Sequence, residues 1–171
     1  MSSNNLPEAW LRGPVAEVPG LLQPVAHALL QANEEIKKFL EDFPASKLWE
    51  KPGGLASVAF HIQHIPGVLD RLFTYAEGQS LSNAQLKYLS EEGLENDELT
   101  VDILLQQLGK QIDISIDKLK KTDPSQLTAP REVGRKKLPS TVLGLLFHSA
   151  EHTMRHTGQL LATVRIIKAG L

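Results

Sequence analysis

Apolar residues recur at three- and four-residue intervals along four long stretches of this chain, and none sustains a strict two-residue alternation. A stripe with that period belongs to a helix with one apolar face, and such a face is stable only against another element. From Leu21 to Phe43 the stripe is Leu22, Val25, Ala26, Leu29, Leu30, Ile36 and Leu40, with Glu34, Glu35, Lys37 and Lys38 between them. Pro52-Gly53-Gly54 interrupts the pattern, and Ser57 then stands at the N-cap of a second helix reaching about Gly78, with Val58, Ile62, Ile65, Leu69 and Leu72 inward. Pro66 lies inside it, removes the hydrogen bond to the Ile62 carbonyl and predicts a bend near His64.

Residues 79–99 read as a longer connection with one short helical turn. Thr100 opens a third helix that carries Val101, Leu104, Leu105, Leu108, Ile112, Ile116 and Leu119, runs to about Lys121 and is stopped by Asp123-Pro124. Thr128 to Lys137, with Pro130, Gly134, Arg131, Arg135, Lys136 and Lys137, reads as a basic loop, solvated or serving as a lid for a negative ligand. Ser140 is the expected cap of a fourth helix ending at Ala169. The expectation is an all-α, up-and-down four-helix bundle with a longer connection between helices two and three, in a single domain over residues 20–171. An N-terminal arm, residues 1–19, precedes it; Pro7, Gly13, Pro14 and Pro19 disfavour a helix there, and Trp10 is its expected anchor.

Composition removes several functions. A chain of 171 residues with 42% hydrophobic residues, 22% charged residues and a net charge of -2 lacks the basic footprint of a nucleic-acid binder. It has no cysteine, which excludes disulfides and thiolate chemistry and leaves only nitrogen and oxygen to hold a metal. No apolar run approaches the roughly 20 residues that span a bilayer, and the start lacks the pattern of a secretory signal. A cytoplasmic protein with no membrane partner is expected.

Five of the six histidines fall in two clusters, His61 and His64 on the second helix and His148, His152 and His156 on the fourth. At about 100° per residue, His152 and His156 point within roughly 40° of each other. They share their arc with Leu138, Val142, Leu145, Leu160 and Val164. An unsatisfied polar group buried there costs about 1–3 kcal/mol, so the rings require partners. Core hydrogen bonds to other helices would suffice, but a metal satisfies both rings at once, and an i, i+4 pair presents two imidazole nitrogens to one ion.

The segment Phe147-His-Ser-Ala-Glu-His-Thr-Met-Arg-His-Thr-Gly-Gln159, with Arg165 further along, resembles the fourth-helix signature of the DinB/YfiT family of metalloenzymes, in which HxxxH is followed by one residue and then Gly-Gln. Ser57 followed seven residues later by His64 is similar to the family's entry into helix two. The resemblance implies a four-helix bundle over about residues 21–168 whose metal ligands are His64, His152 and His156. Periodicity alone leaves the helix-two ligand open. His61 lies nearer the apolar arc of Val58, Ile62, Ile65 and Leu69 and is the substitute if Pro66 does not turn the helix.

Other residues stand as candidates for the shell or cavity around the metal. His148, one turn before His152, either supports the site or is an exposed helix residue. Arg71 and Tyr75 return to nearly the face of His64 and either orient a polar or anionic ligand or lie on the rim. Gln159 would hydrogen-bond nearby, Gly158 would admit a neighbouring backbone, and His27 reads as ordinary packing. Three neutral histidines leave a coordination position open, the pattern of a catalytic metal. Zinc or nickel suits imidazole best, with iron or manganese as alternatives.

By resemblance, the chemistry is that of a metal-dependent thiol transferase or isomerase acting on a small-molecule ligand with a low-molecular-weight thiol as cosubstrate; a metal-bound water acidified toward neutrality would make it a hydrolase instead. No catalytic acid or base is identified. His148-Ser-Ala-Glu-His152 also matches HxxEH of one protease class, but Glu151 falls on the side opposite the histidine pair and the chain is short. The alternative function is a non-catalytic, stress-related bundle that holds a metal or ligand. A homodimer paired through exposed helix faces is the expected assembly.

Overall fold

The computed structural model describes residues 6–170, so residues 1–5 of the arm lie outside the described part. Among the described residues are five α-helices, α1 (Gln23–Phe39), α2 (Val58–Ala76), α3 (Asn83–Glu91), α4 (Val101–Lys121) and α5 (Val142–Ala169), and two short strands, β1 (Pro130–Val133) and β2 (Leu138–Thr141). No helix among them is long and apolar enough to cross a membrane.

Side-chain caps set the helix starts. The Ser57 hydroxyl accepts from the Phe60 amide at the head of α2, and Thr100 accepts from Ile103 at the head of α4. For α5 the cap is Thr141, which accepts from Gly144, so the expectation of Ser140 is off by one residue. Ser140 instead belongs to β2. Gly170 closes α5 in the left-handed region at φ 72°, where its amide reaches the carbonyls of Ile166 and Ile167.

Four of the helices share the core. α2 packs against α4 and α5, and α1 packs against the same two. Leu29 and Ile36 from α1, Ile62, Ile65 and Leu69 from α2, Leu104, Leu108 and Ile112 from α4, and Leu160 from α5 are all fully buried. Each large aliphatic side chain removed from water contributes about 1.5–3 kcal/mol, which holds α2 and α5 side by side. α2 continues through Pro66 without a break.

Three sequence expectations are corrected. The connection after α2 holds a nine-residue helix, α3, opened by a capping box in which Ser82 and Gln85 satisfy each other's backbone amides. None of its residues is buried, and nine residues with Leu86, Tyr88 and Leu89 as their large apolar positions are too short a run for periodicity to define. The basic stretch after α4 is a β-hairpin and not a loop, with Pro130 opposite Thr141 and Val133 opposite Leu138. The fold is therefore mostly helical with a small sheet, where an all-α chain was expected; four-residue strands are too short to register as an alternation. Trp10 is exposed and its indole N–H donates to Glu8. The arm is tied to α1 instead by the Ala9 amide on Gln31, by an Arg12–Glu34 fork at 2.6 and 2.7 Å, and by Gln23, which bonds the backbone of Val15 and Val18. His27 completes that contact on the Gly13 carbonyl at 3.0 Å.

Candidate metal centre

The contact between α2 and α5 brings three imidazoles to one point. His64, His152 and His156 each offer a ring nitrogen, and these atoms all lie within 4.8 Å of one another. His152 and His156 sit one turn apart on α5 with ring centroids 4.5 Å apart, and His64 faces them across the helix interface at 5.2 and 4.6 Å. Nε2 of His64 stands 3.0 Å from Nε2 of His152. Two nitrogens that share a tetrahedral ion at about 2.1 Å are about 3.4 Å apart, so the His64–His152 pair is within a few tenths of an ångström of that spacing, and the all-imidazole donor set suits a divalent metal. Phe60, one turn before His64, stacks on its ring at 5.0 Å and closes one side with an apolar face.

The outer nitrogens have protein partners. Nδ1 of His64 lies 2.6 Å from Oε2 of Glu92; a carboxylate only accepts, so Nδ1 carries the proton and Nε2 presents its lone pair to the cluster. The other Glu92 oxygen accepts from Arg71 at 2.6 Å. Nδ1 of His156 lies 3.0 Å from Nδ1 of His61, which leaves Nε2 of His156 free of that bond. His152 differs: its Nδ1 is buried without a hydrogen-bond partner.

Burial keeps the rings of His61, His152 and His156 neutral. It lowers His61 to about 4, and protonation of the neighbouring His64 would lower it further. His152 is lowered to about 4 and His156 to about 3, again first by burial, with repulsion from any proton added to His64 next. Neutral imidazole is the form that ligates a metal.

The other predicted residues fall in four places. His61 is buried behind His156 and outside the three-ring cluster, while His64 is the α2 ring that joins the pair. Arg71 is buried and committed to Glu92, which removes it from the anion-gripping role considered from sequence. Tyr75 and the hairpin lie at the far end of α2. There Tyr75 shares a groove with Gly78 and Arg131, and Arg131 bonds the Ala76 carbonyl. Ala76 is twelve residues from His64, about 18 Å along the axis, so a shared angular face did not mean a shared place, and the basic hairpin cannot cover the rings.

On α5, His148 is exposed, with its ring 5.3 Å from that of His152 and Nδ1 3.2 Å from Glu151. Glu151 is tied to Arg155 on the outer side. Gln159 and Gly158 are exposed, and a Cβ at Gly158 would meet nothing within 4 Å, so no neighbouring backbone explains that glycine.

Sequence reasoning missed Glu92. It lies 28 residues after His64, at the end of a short helix, and its only local signal is the following Gly93, a helix-end glycine at φ 79°. Next to it opens a cavity of about 690 Å³, lined among others by Gln63, Tyr88, Glu91, Glu92, Glu95 and Asp97. That acidic wall suits neutral or cationic ligands better than anions.

The model of the DinB superfamily matches residues 28–160 of the chain, a span that contains all three rings and Glu92. The crystal structure of a conserved protein from Enterococcus faecalis is similar with a TM-score of 0.68, covering 86% of this chain and 97% of that one at 17% identity, a likeness of fold alone. No curated protein matches the chain.

Proposed function

We propose, from the premise that the chain belongs to the DinB superfamily, that it binds one divalent metal ion through His64, His152 and His156 and serves as a small metalloenzyme. The observation that carries this reading is the approach of Nε2 of His64 and Nε2 of His152 to 3.0 Å, with the His64 tautomer held by Glu92. Zinc or nickel suits the all-imidazole set, and iron or manganese are the alternatives. In the same reading α1, α2, α4 and α5 are an up-and-down four-helix bundle, a single domain over residues 20–171 that pairs as a homodimer in the cytoplasm.

When bound, such an ion supplies Lewis acidity to a water or to a thiolate, which suits a metal-dependent thiol transferase or a hydrolase using a low-molecular-weight thiol or water. The chain's own residues hold and orient. The two α5 rings and His64 fix the donor nitrogens, and Phe60 shields one side.

One observation favours the second reading, a non-catalytic, stress-related module. Both Glu92 oxygens are engaged, by His64 and Arg71, and Glu151 is tied to Arg155, so neither nearby carboxylate is free to move a proton.

The test is the metal content of protein purified without a histidine tag, compared with His152→Ala and His156→Ala. A stoichiometric ion in the parent and its loss in both variants is the expected result; equal metal in all three removes the site. Turnover of electrophiles with small thiols then separates enzyme from module.

A further inference from the structure

The groups behind the three rings form a second built arrangement, centred on α3 and its C-terminal turn. Tyr88 donates its hydroxyl to the Gln63 carbonyl at 2.9 Å, and the Gly93 amide donates to Oε1 of Gln63 at 3.0 Å. These two bonds dock the turn on α2 directly beside His64. Two glycines make the fit possible. A Cβ on Gly67 would collide with Oε1 of Glu92, and it would stand 2.7 Å from the Tyr88 ring and 2.8 Å from the Arg71 guanidinium. A Cβ on Gly93, itself at φ 79°, would stand 2.8 Å from the Phe60 ring. The Glu92 side chain is 4% exposed and that of Arg71 10%. A carboxylate taken so far from water is retained only with partners on both oxygens.

We infer that Glu92 is a positioning residue for the metal, clamped by Arg71 so that its second oxygen holds His64 in the Nδ1–H tautomer with Nε2 aimed at His152. Resting on the three-histidine reading, this extends it to residues that no motif includes. A ligating histidine whose far N–H meets a carboxylate is fixed in orientation and made more basic, and loss of such a partner typically weakens metal binding by roughly 10- to 100-fold. Arg71 acts one step further out: without the guanidinium, one oxygen of Glu92 has no partner and the carboxylate can turn away from His64. α3, which buries no residue of its own, thereby has a reason to be docked where it is.

The experiment compares the full chain with Glu92→Ala, Glu92→Gln and Arg71→Met, with His152→Ala as the control for loss of the site. Zinc affinity is measured by competition with a chelator, and the imidazole nitrogen shifts of His64 are read by nuclear magnetic resonance in the metal-free proteins at about pH 8, where a free imidazole is neutral. Expected are zinc binding weakened roughly tenfold or more in Glu92→Ala, a smaller loss in Glu92→Gln, whose amide oxygen still accepts from Nδ1–H, and a His64 that leaves the Nδ1–H form in Glu92→Ala. The Gln variant keeps the shape of the side chain and decides the matter if the Ala variant does not fold. Zinc affinity within about threefold of the parent in both Glu92 variants, with His152→Ala abolishing binding, overturns the role of Glu92 and leaves the site intact. Failure of the parent to bind zinc overturns the three-histidine reading instead. The tautomer measurement needs no metal, and an unchanged Nδ1–H His64 in Glu92→Ala overturns the clamp.

Discussion

Nδ1 of His61 faces Nδ1 of His156 at 3.0 Å, so the more deeply buried histidine of α2 touches the site from behind while its neighbour His64 enters it. One of the two nitrogens must donate and the other accept. With Nε2 of His156 kept for a metal, the proton belongs on Nδ1 of His156 and His61 is the acceptor.

That arrangement separates the two α2 histidines by experiment. His64→Ala is expected to abolish metal binding, whereas His61→Ala removes a supporting hydrogen bond and weakens binding roughly tenfold, the lower end of the range for outer-shell partners. Chelator competition on both variants checks the order. Equal loss in the two would make His61 a ligand in its own right.

Stability of the metal-free protein is expected to fall as the medium is acidified. His61 and His152 are lowered to about 4 and His156 to about 3 from an ordinary 6.5, chiefly by burial. Between about 6.5 and about 4 the unfolded chain binds protons that the folded chain does not, so each ring favours unfolding progressively more as pH drops through that window. Urea midpoints taken across the window should decline steadily and decline less in His61→Phe, which removes one titrating ring; a flat series contradicts the burial of these groups.

Gly67→Ala is a helix-interior substitution that on propensity alone should stabilise α2 by about 1 kcal/mol. Contact with Oε1 of Glu92 and the Tyr88 ring reverses the sign. The expected outcome is a net loss of about 1–3 kcal/mol, the usual cost of overpacking, together with weakened metal binding. A thermal melt showing a more stable variant would mean that the turn after α3 is free to move aside.

Ser57 caps α2 from a fully buried position. Ser57→Ala should cost about 1 kcal/mol and leave stoichiometric metal binding in place, because the cap orders the start of the helix and touches no ring of the cluster. Chemical denaturation together with metal content measures both halves of that expectation.

The long helices and two of their caps were legible because each depends on neighbours in the chain. Apolar spacing located α1, α2, α4 and α5 to within a few residues at most ends, and Ser57 and Thr100 cap where a hydroxyl precedes a periodic run. α1 is the exception, stopping at Phe39 where the stripe ran to Phe43. The hairpin was not legible, since Val133 is the only partly buried apolar residue of β1 and a single residue carries no period.

What the amino-acid order determined by itself is the pairing of His152 with His156, since four residues on a helix make one turn and place both rings on one arc whatever surrounds them. The family motif then pointed to His64 over His61, a choice periodicity could not make. Only tertiary structure decided how α2 is rotated against α5, which puts His64 in the cluster and His61 behind it. It also decided that Glu92, 28 residues further on, closes over His64 while Tyr75 on the same helix does not. The physical reason is that angular position along a helix is a local property, but axial depth and the arrival of a separate segment follow from how the side chains of different elements pack.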